Sequence, residues 1–93
     1  MLKYFGKMFK KAEITMEFTI DALRLNERKA AHEYLAEVFS FPSYYGKNLD
    51  ALYDCISEMN IKKVYIQNSY EGESYFFAVL DVFKDLDIEL EYI

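Results

Sequence analysis

Ile14, Met16, Phe18 and Ile20 are apolar, and the residues between them, Thr15, Glu17 and Thr19, are polar. A period of two sends alternate side chains to opposite faces of an extended chain, so this stretch predicts a strand with one buried face. The period then lengthens. Past Asp21–Leu25 comes Asn26, a residue type suited to cap a helix. Beyond it Ala31, Tyr34, Leu35, Val38 and Phe39 recur at the spacing of one helix face, while Glu27, Arg28, Glu33 and Glu37 fall elsewhere. The pattern predicts a helix over about 27–39, closed before Pro42 because the residue preceding a proline is pushed out of the helical region.

A loop, Phe41–Asp50, feeds a second helix near 48–59 with Asn48 as a candidate cap. Leu49, Leu52, Ile56 and Met59 share one side of that helix, with Cys55 at its edge. Asp50, Tyr53, Asp54 and Ser57 share the other, within about 100° of arc. Lys63–Gln67 reads as a short strand, Glu71–Ser74 as a turn with Ser74 as a cap. Phe76, Val79, Leu80, Phe83 and Leu86 make the buried stripe of a third helix over about 75–86. Ile88–Ile93 alternates again and closes the chain as a strand. Strands separated by helical crossovers pair in parallel. The order β-α-α-β-α-β therefore predicts an α/β, two-layer domain: a three-stranded parallel sheet with helices on one face.

The chain has 93 residues, enough for one core. No apolar run approaches the roughly 20 residues of a membrane helix, and Lys7 and Lys10 interrupt the N-terminal apolar residues, so neither a membrane span nor a secretory signal is expected. Charge divides unevenly. Residues 1–12 carry four lysines and no acid, leaving the remainder at −9 within a net charge of −5. Residues 1–11 read as a basic extension and 12–93 as the folded domain. An acidic body repels phosphate backbones and attracts basic partners, so direct nucleic-acid binding is not expected.

Little in the chain supports catalysis. The glycine signatures of phosphate and dinucleotide sites are missing, as are the zinc-protease and nucleophile-elbow motifs. One His and one Cys are too few for a zinc site, and a lone cysteine suits a reducing compartment. No metal, cofactor or enzymatic activity is expected. His32, a lone helical histidine, reads as a surface or boundary residue. Cys55 follows Asp54, whose charge raises a thiol pKa, and reads as a semi-buried structural thiol. The informative feature is the Asp50/Asp54 pair with Tyr44, Tyr45 and Tyr53 close in sequence. Carboxylates at i and i+4 repel, which solvation and the helix N-terminus accommodate. Two acids among rigid amphipathic rings also suit a hot spot aimed at a cationic groove.

The run Phe41-Pro-Ser-Tyr-Tyr-Gly-Lys-Asn-Leu-Asp-Ala-Leu-Tyr-Asp-Cys55 resembles the signature of the barstar family, intracellular inhibitors of barnase-type ribonucleases. The resemblance is weaker through Val82–Asp85 and the last strand, spans roughly residues 12–93, and implies a three-stranded parallel sheet. In that family the loop and second helix plug the nuclease active site. By this resemblance Asp54 matches the acid that stands in for substrate phosphate, Asp50 the second acid on the helix, and Tyr44 the aromatic that packs on an active-site histidine. Gly46 and Asn48 match loop positions near the partner, Leu49 a neighbouring contact, and Asp85 an acid of the third helix.

Departures are visible as well. Tyr53 stands where the best-known member has Trp, and Lys47 replaces an acid of the loop. The next acidic contact has no clear counterpart, with Asp81 and Asp87 as candidates. Tyr45, Ala51, Leu52 and Cys55 read as structural. The resemblance implies a cytoplasmic inhibitor, of immunity or antitoxin type, monomeric when free, whose partner is a basic ribonuclease: barnase-like or another nuclease toxin. The alternative is a barstar-like regulatory module with a non-nuclease partner.

Overall fold

The alternation at the start of the chain becomes β1, Met16–Asp21, with Ile20 in the core, Phe18 packed against it, and Glu17 and Thr19 exposed. The computed structural model describes residues 15–93; Ile14, the expected first strand residue, and the basic segment 1–11 lie outside the described residues. After a 3₁₀ turn at Ala22–Arg24 come α1 (Arg28–Phe39), α2 (Leu49–Ser57) and β2 (Ile61–Gln67). A second 3₁₀ turn at Ser69–Glu71, α3 (Ser74–Asp85) and β3 (Glu89–Tyr92) complete the chain. The sheet order is β1-β2-β3 with both pairings parallel, as the element order predicts. β2 begins two residues earlier than the periodicity suggests, because Met16 pairs with Ile61 across an irregularity in the register.

The two faces of the sheet differ in chemistry. Phe18, Ile20, Val64, Ile66 and Leu90 belong to the core or pack on it, beneath Leu35 and Phe39 of α1, Leu52 and Ile56 of α2, and Phe76, Val79, Leu80 and Phe83 of α3. Burial of each such large side chain contributes about 1.5–3 kcal/mol. The opposite face is polar and pairs with itself across strands. Lys63 Nζ lies 2.9 Å from Glu91 and 3.4 Å from Glu89. The hydroxyl of Tyr65 donates to Glu17 at 3.0 Å. Glu91 is the first cause of the upward shift of the Lys63 pKa, and Glu17 that of the Tyr65 pKa.

Two caps differ from the expectation. Glu27, not Asn26, caps α1: its carboxylate accepts the N–H groups of Ala30 at 2.9 Å and Lys29 at 3.2 Å. Those bonds hold the Glu27 pKa below its ordinary value. An anion is the better acceptor at the positive end of a helix, which frees the amide of Asn26 for a task needing both donor and acceptor. Its Nδ2 donates to the Glu71 carbonyl at 2.9 Å, and its Oδ1 accepts the Glu73 N–H at 2.7 Å. Asn26 thus holds the approach to α3 from outside. Glu73, not Ser74, takes the N-cap position there, with no capping bond from its own side chain.

Gly72 closes this same turn with an ordinary backbone and a steric demand. A Cβ at that position would stand 2.0 Å from the ring of Phe76, which is fully buried. Gly72→Ala is expected to destabilise the domain by about 1–3 kcal/mol through overpacking. A urea midpoint equal to that of the parent chain would contradict this.

Candidate functional site

The segment between α1 and α2 is shaped by three local devices. Ser40 ends α1 in a left-handed conformation, and the Phe41 N–H reaches back to the Ala36 carbonyl at 3.0 Å. A tight turn follows, closed by the Tyr45 N–H on the Pro42 carbonyl at 3.0 Å. Ser43 and Tyr44 form its tip, which leaves Tyr44 85% exposed while Tyr45, one residue later, is only 6% exposed. Asn48 then caps α2 through Oδ1, accepting the Ala51 N–H at 2.7 Å. Asn48→Ala is expected to lower stability by about 1 kcal/mol, read by thermal unfolding.

Aromatic and polar contacts fix this loop from below. Phe18 meets Phe39 at 4.5 Å between ring centroids, Phe39 stacks on Phe41 at 5.6 Å, and Phe41 packs on Tyr45 at 4.7 Å. From Tyr45 the chain of contacts becomes polar. Its hydroxyl lies 2.6 Å from His32 Nδ1, and the Tyr75 hydroxyl lies 2.5 Å from His32 Nε2. His32 is thus fully buried, not the surface or boundary residue that its isolation in the sequence suggests. Two phenols from other elements satisfy both ring nitrogens, which is what permits its burial. Desolvation first, then the nearby Arg28 charge, pushes the imidazole pKa below its ordinary value. Desolvation likewise raises the pKa of Tyr45. One polar bridge therefore ties the loop to α1 and to the first turn of α3.

On α2 the burial follows the expected arc. Leu52 and Ile56 are buried, and Ala51 and Cys55 partly so. Asp50, Tyr53, Asp54 and Ser57 are all exposed. Among the described residues neither Asp50 nor Asp54 forms an ion pair or a side-chain hydrogen bond; the ion pairs there belong to Lys63 on the far face of the sheet. Asp50 sits in the first turn of α2, where the helix dipole favours a negative charge. The Cys55 pKa is raised by burial first, then by Glu58 and Asp54, so this thiol is not activated.

Two hollows flank the exposed face. The first, of about 390 Å³, lies between the loop and α2 and is lined by Phe41, Pro42, Tyr44, Asp54, Glu58 and Met59 among others. The second, of about 310 Å³, is lined by Arg28, Asn48, Leu49, Asp50 and Tyr75. Tyr44 and Asp54 thus share one hollow, while Asn48, Leu49 and Asp50 share the other. Gly46 and Tyr53 are exposed and line neither. Asp85 is exposed at the end of α3, also outside both. Sequence reasoning missed Arg28, Tyr75, His32 and Glu58. For Glu58 the signal was present, since it continues the four-residue spacing of Asp50 and Asp54. Tyr75 is 43 residues from His32, and no periodicity links them.

No helix among the described residues is long and apolar enough to cross a membrane. No three of their His, Cys, Asp and Glu side chains come together as a metal site. The family model for barstar, described as a barnase inhibitor, matches residues 15–91. The chain belongs to the barstar family. Members of that family are inhibitors, and the parallel three-stranded sheet with its three helices agrees with a barstar-like topology. The chain is also 33% identical over 79 residues to a Bacillus subtilis (strain 168) protein named "Putative ribonuclease inhibitor YrdF", covering 77% of this chain and 86% of that one. The barstar match takes in the loop, α2 and α3, and so every residue of the candidate face.

Proposed function

We propose that this chain is an intracellular inhibitor that seats its Phe41–Asn48 loop and α2 in the active site of a basic ribonuclease. The observation that carries the reading is the state of α2: Asp50 and Asp54 are exposed and in no ion pair among the described residues, beside exposed Tyr53. Carboxylates presented this way can replace substrate phosphates against the nuclease's cationic groups. Tyr44 and Tyr53 exclude water around those pairs, which strengthens them. Gly46, Asn48 and Leu49 contribute backbone and apolar contact near the loop, and Asp85 adds charge from α3. The chain acts as a monomer in the cytoplasm, without cofactor and without touching nucleic acid. An acidic body also steers a basic partner, so association should slow as salt rises.

The test is titration of RNA cleavage by barnase, and by any small basic nuclease encoded beside this chain. Stoichiometric loss of cleavage is expected, and full cleavage at a molar excess of the chain against both would overturn the reading. A second reading, a regulatory module for a non-nuclease partner, draws support from Lys47 in the loop and Arg28 beside Asp50, two positive charges on an otherwise acidic face. Affinity capture separates the two by whether a nuclease is recovered.

A further inference from the structure

We infer that Glu58 makes the hollow between the loop and α2 a receptor for an arginine side chain of the bound ribonuclease. The inference rests on the inhibitor reading above and adds a residue that the family signature does not contain. One wall of the hollow is aromatic and apolar, from Phe41, Pro42 and Tyr44; the other carries Asp54 and Glu58; Met59 and Cys55 are also in the lining. Glu58 follows Asp54 by four residues, so the two carboxylates stand about one helical turn apart. Among the described residues no lysine or arginine lines the hollow. Among the described residues neither acid has a side-chain hydrogen bond or an ion pair. A planar, weakly hydrated guanidinium is the cation that suits this combination, because it can stack on a ring while donating to carboxylates.

Two further observations concern Glu58 itself. It occupies the C-cap of α2, at the negative end of the helix dipole, and it repels Asp54 one turn before it. Both effects make an acid unfavourable there in the free chain, and both are relieved when a cation enters. Glu58 and Asp54 also raise the pKa of Cys55, which lines the same hollow, so their field reaches into it. An exposed acid that the free fold disfavours and that lines a hollow has the signature of a binding residue rather than a structural one.

The test is an amide NMR titration of the full chain with Nα-acetyl-arginine methylamide, with its uncharged citrulline counterpart as control. Shifts should concentrate on Phe41, Tyr44, Cys55, Glu58 and Met59, and be absent with citrulline. Glu58→Gln should bind the arginine probe about threefold more weakly while its thermal midpoint stays equal or rises. Shifts spread evenly over the acidic surface, or equal binding by Glu58→Gln, would overturn the inference. Barnase inhibition measured in parallel separates the two levels. Inhibition left undiminished by Glu58→Gln removes the inference and leaves the inhibitor reading standing. Arginine binding without inhibition of any ribonuclease removes that reading, and with it the proposed source of the cation.

Discussion

Asp54→Ala is expected to weaken ribonuclease inhibition more than any other single change on this surface. In the free chain Asp54 is exposed and makes no ion pair or side-chain hydrogen bond among the described residues, so its removal leaves nothing unsatisfied. In the proposed complex the same change would strand the nuclease cations facing Asp54, buried without a counter-charge. Breaking a buried ion pair from one side costs about 3–5 kcal/mol, on the order of two to three and a half powers of ten in Kd. The folding stability of the variant should stay within about 0.5 kcal/mol of the parent. Inhibition constants and urea midpoints measured on the same preparations check both halves. An inhibition constant within a factor of about three of the parent would remove Asp54 from the centre of the interface.

His32→Leu is expected to produce the reverse pattern, a large loss of stability. Leucine keeps roughly the volume and apolar character but leaves the buried Tyr45 hydroxyl without its partner and frees that of Tyr75. A stranded buried hydroxyl costs about 1–3 kcal/mol. Tyr75 is only half-buried and lies beside Arg28, so it adds less; the total should be about 2–4 kcal/mol. That is a large share of the 5–15 kcal/mol typical of a domain.

The same group sets a pH dependence. The His32 pKa is lowered in the folded chain from the ordinary 6.5, so the unfolded state binds its proton more readily. Its contribution is therefore complete above the unfolded value and is lost as pH falls below it toward the folded one. Glu27, also lowered, acts in a separate window, below its ordinary 4.5. Unfolding free energy should thus decline from about pH 7 to pH 5 in the parent and stay nearly level in His32→Leu. A flat parent profile across that interval would contradict the buried neutral imidazole.

The parts legible in the sequence share a physical origin: they are set by neighbours a few residues apart. The alternation of Met16, Phe18 and Ile20, the stripe of Phe76, Val79, Leu80 and Phe83, and the cap at Asn48 all appear in their expected roles. The same locality separates exposed Asp50, Tyr53 and Asp54 from buried Leu52 and Ile56. What was not legible depends on residues brought together from afar. Asn26 has the composition of a helix cap, yet its partners are Glu71 and Glu73, and only the fold puts them within reach. His32 has the composition of a surface residue until Tyr45 and Tyr75 close over its two nitrogens. The hollow holding Asp54 and Glu58 needs a second wall, which the loop supplies only after Phe41 stacks on Phe39.

The strand order also bears on when protection can begin. β1 has a single sheet partner, β2, and their pairing joins Met16 to Ile61 and Asp21 to Gln67. A ribosome that has released residues 15–60 has therefore already exposed Tyr44, Asp50 and Asp54. It has supplied neither the strand that β1 needs nor the Tyr75 that completes the bridge to His32. Sheets closed by such distant pairings form late. A nascent chain carries the loop and α2 with their exposed acids well before it carries the frame that holds them in shape. Presenting that face in its folded shape thus depends on translation running well past the last residue of α2.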